Sequence, residues 1–232
     1  MFERQRIDRG AILYDPRRVR EPGPALFEPD ALRAQGTVAE ARGGRGSILF
    51  LEIGGRRWVL RRYLRGGMAM HVVRDRYLWL GEERTRSFRE MRLLGELGRR
   101  GLPVPVPVAA RYRRGLLSYR AELITERLAG VESLSALVAT GRMDDARWAA
   151  VGRCLRRFHD AGVQHADLNS DNIQLDEAGE VWVLDFDRGR IREPGHWRQR
   201  VLNRLARSIA KRNPGATGWQ AGFAVLRLAH DA

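Results

Sequence analysis

Two short polar stretches constrain this chain more than anything else in it. The first is His165-Ala166-Asp167-Leu168-Asn169-Ser170-Asp171-Asn172, and the second is Val183-Leu184-Asp185-Phe186-Asp187. Each abuts an apolar run, so the fold must bury the runs while leaving carboxylates and a carboxamide accessible. Asp167 and Asn172 lie five apart in a non-helical loop, and Asp185 arrives at the end of the next strand. A carboxamide and a carboxylate supply the hard oxygen ligands that Mg²⁺ prefers. One carboxylate is then left to direct a hydroxyl.

The rest of the chain arranges itself around these stretches. Residues 1–36 are rich in Arg, Pro and Gly, with Glu21-Pro22-Gly23-Pro24 among them, and predict an irregular N-terminal arm. A glycine loop, Arg42-Gly43-Gly44-Arg45-Gly46-Ser47, precedes two β-rich runs that turn at Gly54-Gly55, which predicts a hairpin. Glycine lets backbone N–H groups approach an anion closely, although most such loops are only turns. Phe88, Met91, Leu93, Leu94 and Leu97 recur at helical spacing across residues 82–100, with Glu90 among them. Glu90 is either an exposed helix glutamate or the partner of an arginine on the preceding hairpin. Pro103, Pro105 and Pro107 predict an extended connector, followed by a second β pair at residues 108–112 and 118–125.

From Ser133 the pattern turns helical. Asp144 is a predicted N-cap for a helix carrying Trp148, Val151, Leu155 and Phe158 and closing near Gly162. A hairpin is expected from residues 173–176 and 181–185, and a basic amphipathic helix from Trp197 to Arg212. A β-rich first half and a helical second half predict two lobes, residues 37–127 and 128–232, with the polar stretches at the seam.

Composition narrows the partners. The 232 residues include 42 basic and 28 acidic ones, a net charge of +14. That excess calls for an anionic partner, either nucleic acid, an anionic membrane or a polyanionic substrate. The single cysteine, Cys154, excludes an internal disulfide and reads as a small core residue. No secretory leader and no membrane-spanning run is evident, and a cytoplasmic setting is expected. Neither zinc spacing nor an aromatic-basic recognition motif is present, so no nucleic-acid partner is expected.

His165-x-Asp167 with Asn172, then Asp185-Phe186-Asp187, resembles the catalytic loop and metal-binding motif of the protein-kinase-like fold. The upstream order of glycine loop, hairpin, Glu-bearing helix and connector is similar too. More closely, the chain resembles the small bacterial lipopolysaccharide kinases, the Kdo (3-deoxy-D-manno-octulosonic acid) kinases best. The residues that carry this are Trp58-Val59-Leu60-Arg61-Arg62-Tyr63-Leu64-Arg65-Gly66-Gly67, Ser87-Phe88-Arg89-Glu90, the 165–169 stretch and Val183-Leu184-Asp185-Phe186-Asp187-Arg188-Gly189. The resemblance implies an α+β, bilobal fold with a β-rich N-lobe and a short helical C-lobe. It implies transfer of the ATP γ-phosphate to a hydroxyl, expected at O4, of the Kdo sugar on a lipid A precursor. The setting implied is the cytoplasmic face of the bacterial inner membrane, with peripheral attachment to its anionic surface.

Site roles follow from the same resemblance. Asp167 would orient and deprotonate the acceptor hydroxyl, and Asn172 and Asp185 would hold Mg²⁺. Arg61, positioned by Glu90, would grip the ATP phosphates beneath Gly43, Gly44 and Gly46. Residues 122–128, Glu126 among them, would form the hinge that receives adenine, and His165 would hold the loop. Two departures stand out. The only lysine is Lys211, so an arginine replaces the strand-borne phosphate lysine, and Arg62 rivals Arg61 because alternation sends the two to opposite faces. Asp187 stands where protein kinases carry a mobile glycine, and no long activation segment follows it, which favours a sugar over a protein acceptor. A lipopolysaccharide heptose kinase, a protein or aminoglycoside kinase, a pseudokinase and a basic-surface binding module remain as alternatives.

Overall fold

The computed structural model describes residues 1–40, 48–64, 76–193 and 195–232. The chain divides into two compact units, residues 1–95 with 106–127 and residues 96–105 with 128–232. The expected boundary after residue 127 recurs, but residues 1–36 join the first unit and residues 96–105 the second.

The first unit contains β1 (Glu3–Ile7), β2 (Gly10–Tyr14), α1 (Pro29–Gln35), β3 (Gly36–Glu40), β4 (Ile48–Ile53), β5 (Arg56–Arg62) and β6 (Tyr77–Leu78). It also contains most of α2 (Arg86–Arg99), together with β7 (Pro107–Arg114) and β8 (Ser118–Glu126). The strands form one antiparallel sheet in the order β1-β2-β7-β8-β5-β4-β3, with β6 on β8. Gly54 and Gly55 both take positive φ (57° and 73°), which gives the β4–β5 hairpin a two-residue turn whose twist matches its strands.

Residues 1–36 are therefore not an irregular arm. β2 pairs with β7 over five residues, which makes the β1–β2 hairpin an extension of the sheet. Phe2 packs so closely on α2 that a Cβ at Gly95 would lie 2.7 Å from its ring. Phe27 and Leu32 are fully buried with Ile12, Leu51, Leu60, Val108 and Ile124 in the core on one face of the sheet. The frequent Arg, Pro and Gly mask this because only a few apolar residues do the burying: Ala11, Ile12 and Leu13 on β2, then Phe27 and Leu32, while β1 stays largely exposed. Beneath this segment lies Arg111, fully buried, directly opposite Glu122 on β8. Its guanidinium makes two 2.7 Å bonds to Glu122 and a third, also 2.7 Å, to Glu28. On the opposite face Phe88 of α2 meets Tyr112 edge-on, with centroids 5.2 Å apart.

The second unit contains β9 (Glu132–Ser133), α3 (Leu134–Ala139), α4 (Asp145–Asp160), β10 (Val163–Gln164), β11 (Ile173–Leu175), β12 (Val181–Val183), β13 (Arg190–Ile191), α5 (Trp197–Arg212) and α6 (Trp219–Asp231). Asp144 caps α4 by accepting from the Arg147 N–H, as its residue type and position predict. α4 buries Trp148, Val151, Cys154, Leu155 and Phe158 along one stripe. Burial pushes the Cys154 thiol up to about 12, so it is an inert core group. α6 packs on α4 through two glycines: a Cβ at Gly152 would lie 2.2 Å from the Leu226 carbonyl oxygen, and one at Gly222 2.0 Å from the Trp148 indole nitrogen. A second polar link joins these helices. His159 on α4 is 1% exposed, and its Nδ1 lies 2.7 Å from Nε2 of His230, whose Nδ1 is 2.7 Å from the Asp231 carboxylate. The carboxylate can only accept, so His230 carries its proton on Nδ1 and His159 donates to it. α5 buries Trp197, Val201, Leu202, Leu205 and Ile209, so its apolar face lies against the unit. Among the described residues, no helix is long and apolar enough to cross a membrane.

Candidate active site

The loop at residues 165–172 is held from within. The buried His165 ring sends Nε2 to the Leu184 carbonyl oxygen at 2.8 Å, while Nδ1 accepts from the Asp167 N–H at 3.2 Å. A carbonyl can only accept, so the proton sits on Nε2 and the ring is neutral. Burial pushes its pKa down, in the same direction. His165 is thus placed to hold the loop, with both ring nitrogens occupied. Asn169 donates to the Asp167 carbonyl oxygen at 3.0 Å and accepts from the N–H groups of Asp171 (3.0 Å) and Asn172 (3.2 Å). These bonds close the turn and leave the Asp167 carboxylate facing solvent, its side chain 64% exposed.

The second polar stretch is riveted to the first through one residue. The Leu184 N–H donates to the Asn172 carbonyl oxygen at 2.8 Å, and its carbonyl takes the His165 proton. Phe186 is buried, stacked on Phe158 of α4 at 5.6 Å and 4.8 Å from the His165 ring. Between these anchors Asp185 is exposed at φ 62°, a left-handed conformation that costs a non-glycine residue on the order of 1 kcal/mol. Asp167, Asn172 and Asp185 therefore occupy one hydrogen-bonded loop pair within the second unit. Among the described residues, no three His, Cys, Asp or Glu side chains converge as a metal cage. The donor set nevertheless suits Mg²⁺, which binds through one or two protein oxygens and takes the rest from phosphates and water.

α5 contributes two contacts that its sequence did not announce. Arg204 Nη1 lies 2.9 Å from Oδ1 of Asp167, and Arg212 pairs with Asp171. Ser208 accepts from the Ser170 N–H at 3.1 Å. The sequence places these arginines on the polar side of a basic amphipathic helix, but helical periodicity shows which side is polar, not what that side meets.

In the first unit, Glu90 is 2% exposed and pairs with Arg61 and with the Tyr63 hydroxyl. The Arg61 guanidinium also lies 4.8 Å above the Tyr63 ring. Arg62 points to the other face, 4.0 Å from Glu122. Strand alternation thus gives Glu90 to Arg61 and not to Arg62. Gly43, Gly44 and Gly46 lie outside the described residues.

Residues 122–126 of the expected hinge lie in β8, with Glu126 its last residue. The Glu126 N–H donates to the Val106 carbonyl oxygen at 2.8 Å, and that of Arg127 to Arg57 at 2.9 Å, so these two donors are occupied within the first unit. The Glu126 carboxylate pairs with Arg18 at 2.8 Å. Glu122 is buried on Arg111. The ladder of β8 runs through residues 122–126 of that segment and ends there.

Chemically, the second unit offers an exposed carboxylate on a rigid loop, beside a carboxamide and a second carboxylate with oxygen donors. The first can orient a hydroxyl and accept its proton, and the others can hold a hard cation. The first unit offers a buried Glu–Arg pair that presents a guanidinium.

Comparison with known proteins bears on this chemistry. The sequence model of the lipopolysaccharide kinase (Kdo/WaaP) family matches residues 30–224. The chain is 49% identical over 203 residues to a 3-deoxy-D-manno-octulosonic acid kinase of Xylella fastidiosa (strain 9a5c), covering 87% of this chain and 81% of that protein. It is 51% identical over 205 residues to the protein so named from Xanthomonas axonopodis pv. citri (strain 306), with the same coverage. Against that of Xanthomonas oryzae pv. oryzae (strain PXO99A) it is 47% identical over 213 residues, 90% of this chain and 84% of the relative.

Proposed function

The chain belongs to the lipopolysaccharide kinase (Kdo/WaaP) family, and from that premise we propose that it transfers the ATP γ-phosphate to a hydroxyl, O4, of the Kdo sugar on a lipid A precursor. It is a phosphotransferase with an alcohol acceptor, built on the α+β kinase-like fold that the sequence predicts. The observation that carries the acceptor is about 50% identity, over four-fifths of their length, to relatives named as kinases of this sugar.

In this reading Asp167 orients the acceptor hydroxyl and takes its proton, which a loop fixed by His165, Asn169 and Leu184 holds in place. Asn172 and Asp185 hold magnesium, which when bound offsets charge developing on the phosphates. Arg61, kept in place by the buried Glu90, grips the nucleotide phosphates. Asp187 is only part-buried and adds negative charge beside Asp185.

The protein works at the cytoplasmic face of the inner membrane, attached peripherally. Supporting this are the net charge of +14 and the exposed basic face of α5. The apolar face of α5 is committed to the core, so attachment through this helix is electrostatic rather than by insertion.

Phosphate transfer is tested with Kdo-bearing lipid A precursor, heptosylated lipid A and a generic protein acceptor. Asp167→Asn is expected to lower turnover by roughly 10²- to 10⁴-fold while the protein stays folded, because the side chain is exposed. Mapping the phosphate position on the product checks O4. Turnover with protein alone, or with no acceptor, would sink the reading.

A further inference from the structure

The residues of the loop carry two carboxylates, Asp167 and Asp171, and no cation, since His165 is buried and neutral. Magnesium and Arg61 answer the triphosphate, but an acidic sugar approaching this loop would meet its negative charge unless a further cation stood beside it. α5 supplies one. Its sixteen residues include six Arg or Lys and no Asp or Glu. Arg200, Arg204, Arg207 and Lys211 are all exposed, at positions that share one side of the helix. Arg204 is the member of this stripe that touches Asp167.

The contact is of the exposed kind, like Arg33–Asp30 at the surface of the first unit, and unlike the buried pair at Arg111. Arg111–Glu122 is buried and doubly bonded, whereas Arg204 and Asp167 share one bond with side chains 49% and 64% exposed. An exposed, singly bonded pair is held weakly and exchanges partners readily. The helix beneath it is not loose: Leu202, Leu205 and Ile209 are fully buried, and Ser208 is bonded to Ser170. A weak bond borne on a fixed element suits a side chain that waits on a placeholder.

Resting on the kinase reading above, we propose that Arg204 is the residue that recognises the acceptor's carboxylate. The acid group of the sugar replaces Asp167 on the guanidinium, and the same exchange frees the Asp167 carboxylate for the hydroxyl. Binding of an anionic acceptor and release of the base are then one event. A neutral alcohol leaves Arg204 where it is and Asp167 engaged.

The test is steady-state kinetics of wild type, Arg204→Ala and Arg204→Lys, with Kdo-bearing lipid A precursor as free acid and as carboxyl methyl ester. For Arg204→Ala the acceptor KM is expected to rise roughly 10- to 100-fold, the span for loss of one charge-assisted hydrogen bond, with the KM for ATP unchanged. Lysine should restore part of the loss. With the methyl ester the difference between wild type and Arg204→Ala should vanish. An unchanged acceptor KM, or a penalty that persists in full on the ester, overturns the assignment while leaving the kinase reading intact. A wild type that turns over neither form overturns the kinase reading, and with it this one.

Discussion

Replacing His159 by asparagine should remove part of the acid sensitivity of the second unit. His159 lies fully inside the α4–α6 contact and donates to His230, with Arg198 bonded to its own carbonyl oxygen at 2.7 Å. Burial, then the neighbouring His230 and Arg198, hold its pKa down to about 3, against 6.5 in the unfolded chain. The folded value is the lower, so on acidification the unfolded chain takes the proton first. Stability is therefore full above about pH 6.5 and falls as pH drops from there toward 3. Between about pH 7.5 and 5.0 the loss from this one group comes to about 2 kcal/mol. His165, also buried with its pKa lowered, adds a loss of the same sign. Asparagine places a non-titrating N–H donor near the position of Nδ1 and keeps the bond to His230. Urea denaturation at the two pH values is the assay. The variant should lose about 2 kcal/mol less than wild type over that interval, a midpoint difference of roughly 1 M at an m-value of about 2 kcal/mol/M. Equal losses in the two proteins would refute the argument.

Two further outcomes are expected. Arg111→Met should cost roughly 3–5 kcal/mol in urea denaturation because it strands the buried Glu122, and adding Glu122→Leu should recover much of that; a double variant no more stable than the single would count against it. In vesicle sedimentation the protein should bind anionic vesicles at low salt, come off as salt rises and ignore neutral vesicles, since the only free face of α5 is its charged one. Equal binding to neutral and anionic vesicles would exclude electrostatic attachment.

Much of the fold was legible because its signals are local. The Gly54-Gly55 turn, the Asp144 cap and the apolar stripes of α2, α4 and α5 each reside in a few neighbouring residues. The polar stretches were legible for the same reason, and so was a carboxylate at Glu90 in want of a cation. What escaped depends on distant partners. Residues 3–14 become strands because β7 offers them an edge, and α6 was not foreseen because Gly222, poor for a helix in isolation, is what admits Trp148. The bond from the Glu126 N–H to Val106 escaped for the same reason, since the two residues are twenty apart. The Arg204 contact was invisible for the plainest reason: 37 residues separate it from Asp167.

The Arg61–Glu90 pair also decides which chemical probes can report on this protein. Reagents that mark nucleotide sites by acylating a lysine amine depend on a nitrogen that can give up its proton, and a guanidinium does not. Lys211, at the exposed end of α5, is the only lysine in the chain. Among side-chain amines, a lysine-directed nucleotide reagent would therefore find only that helix. A blank labelling result would say nothing about nucleotide occupancy, and inhibition by such a reagent would point to the basic helix.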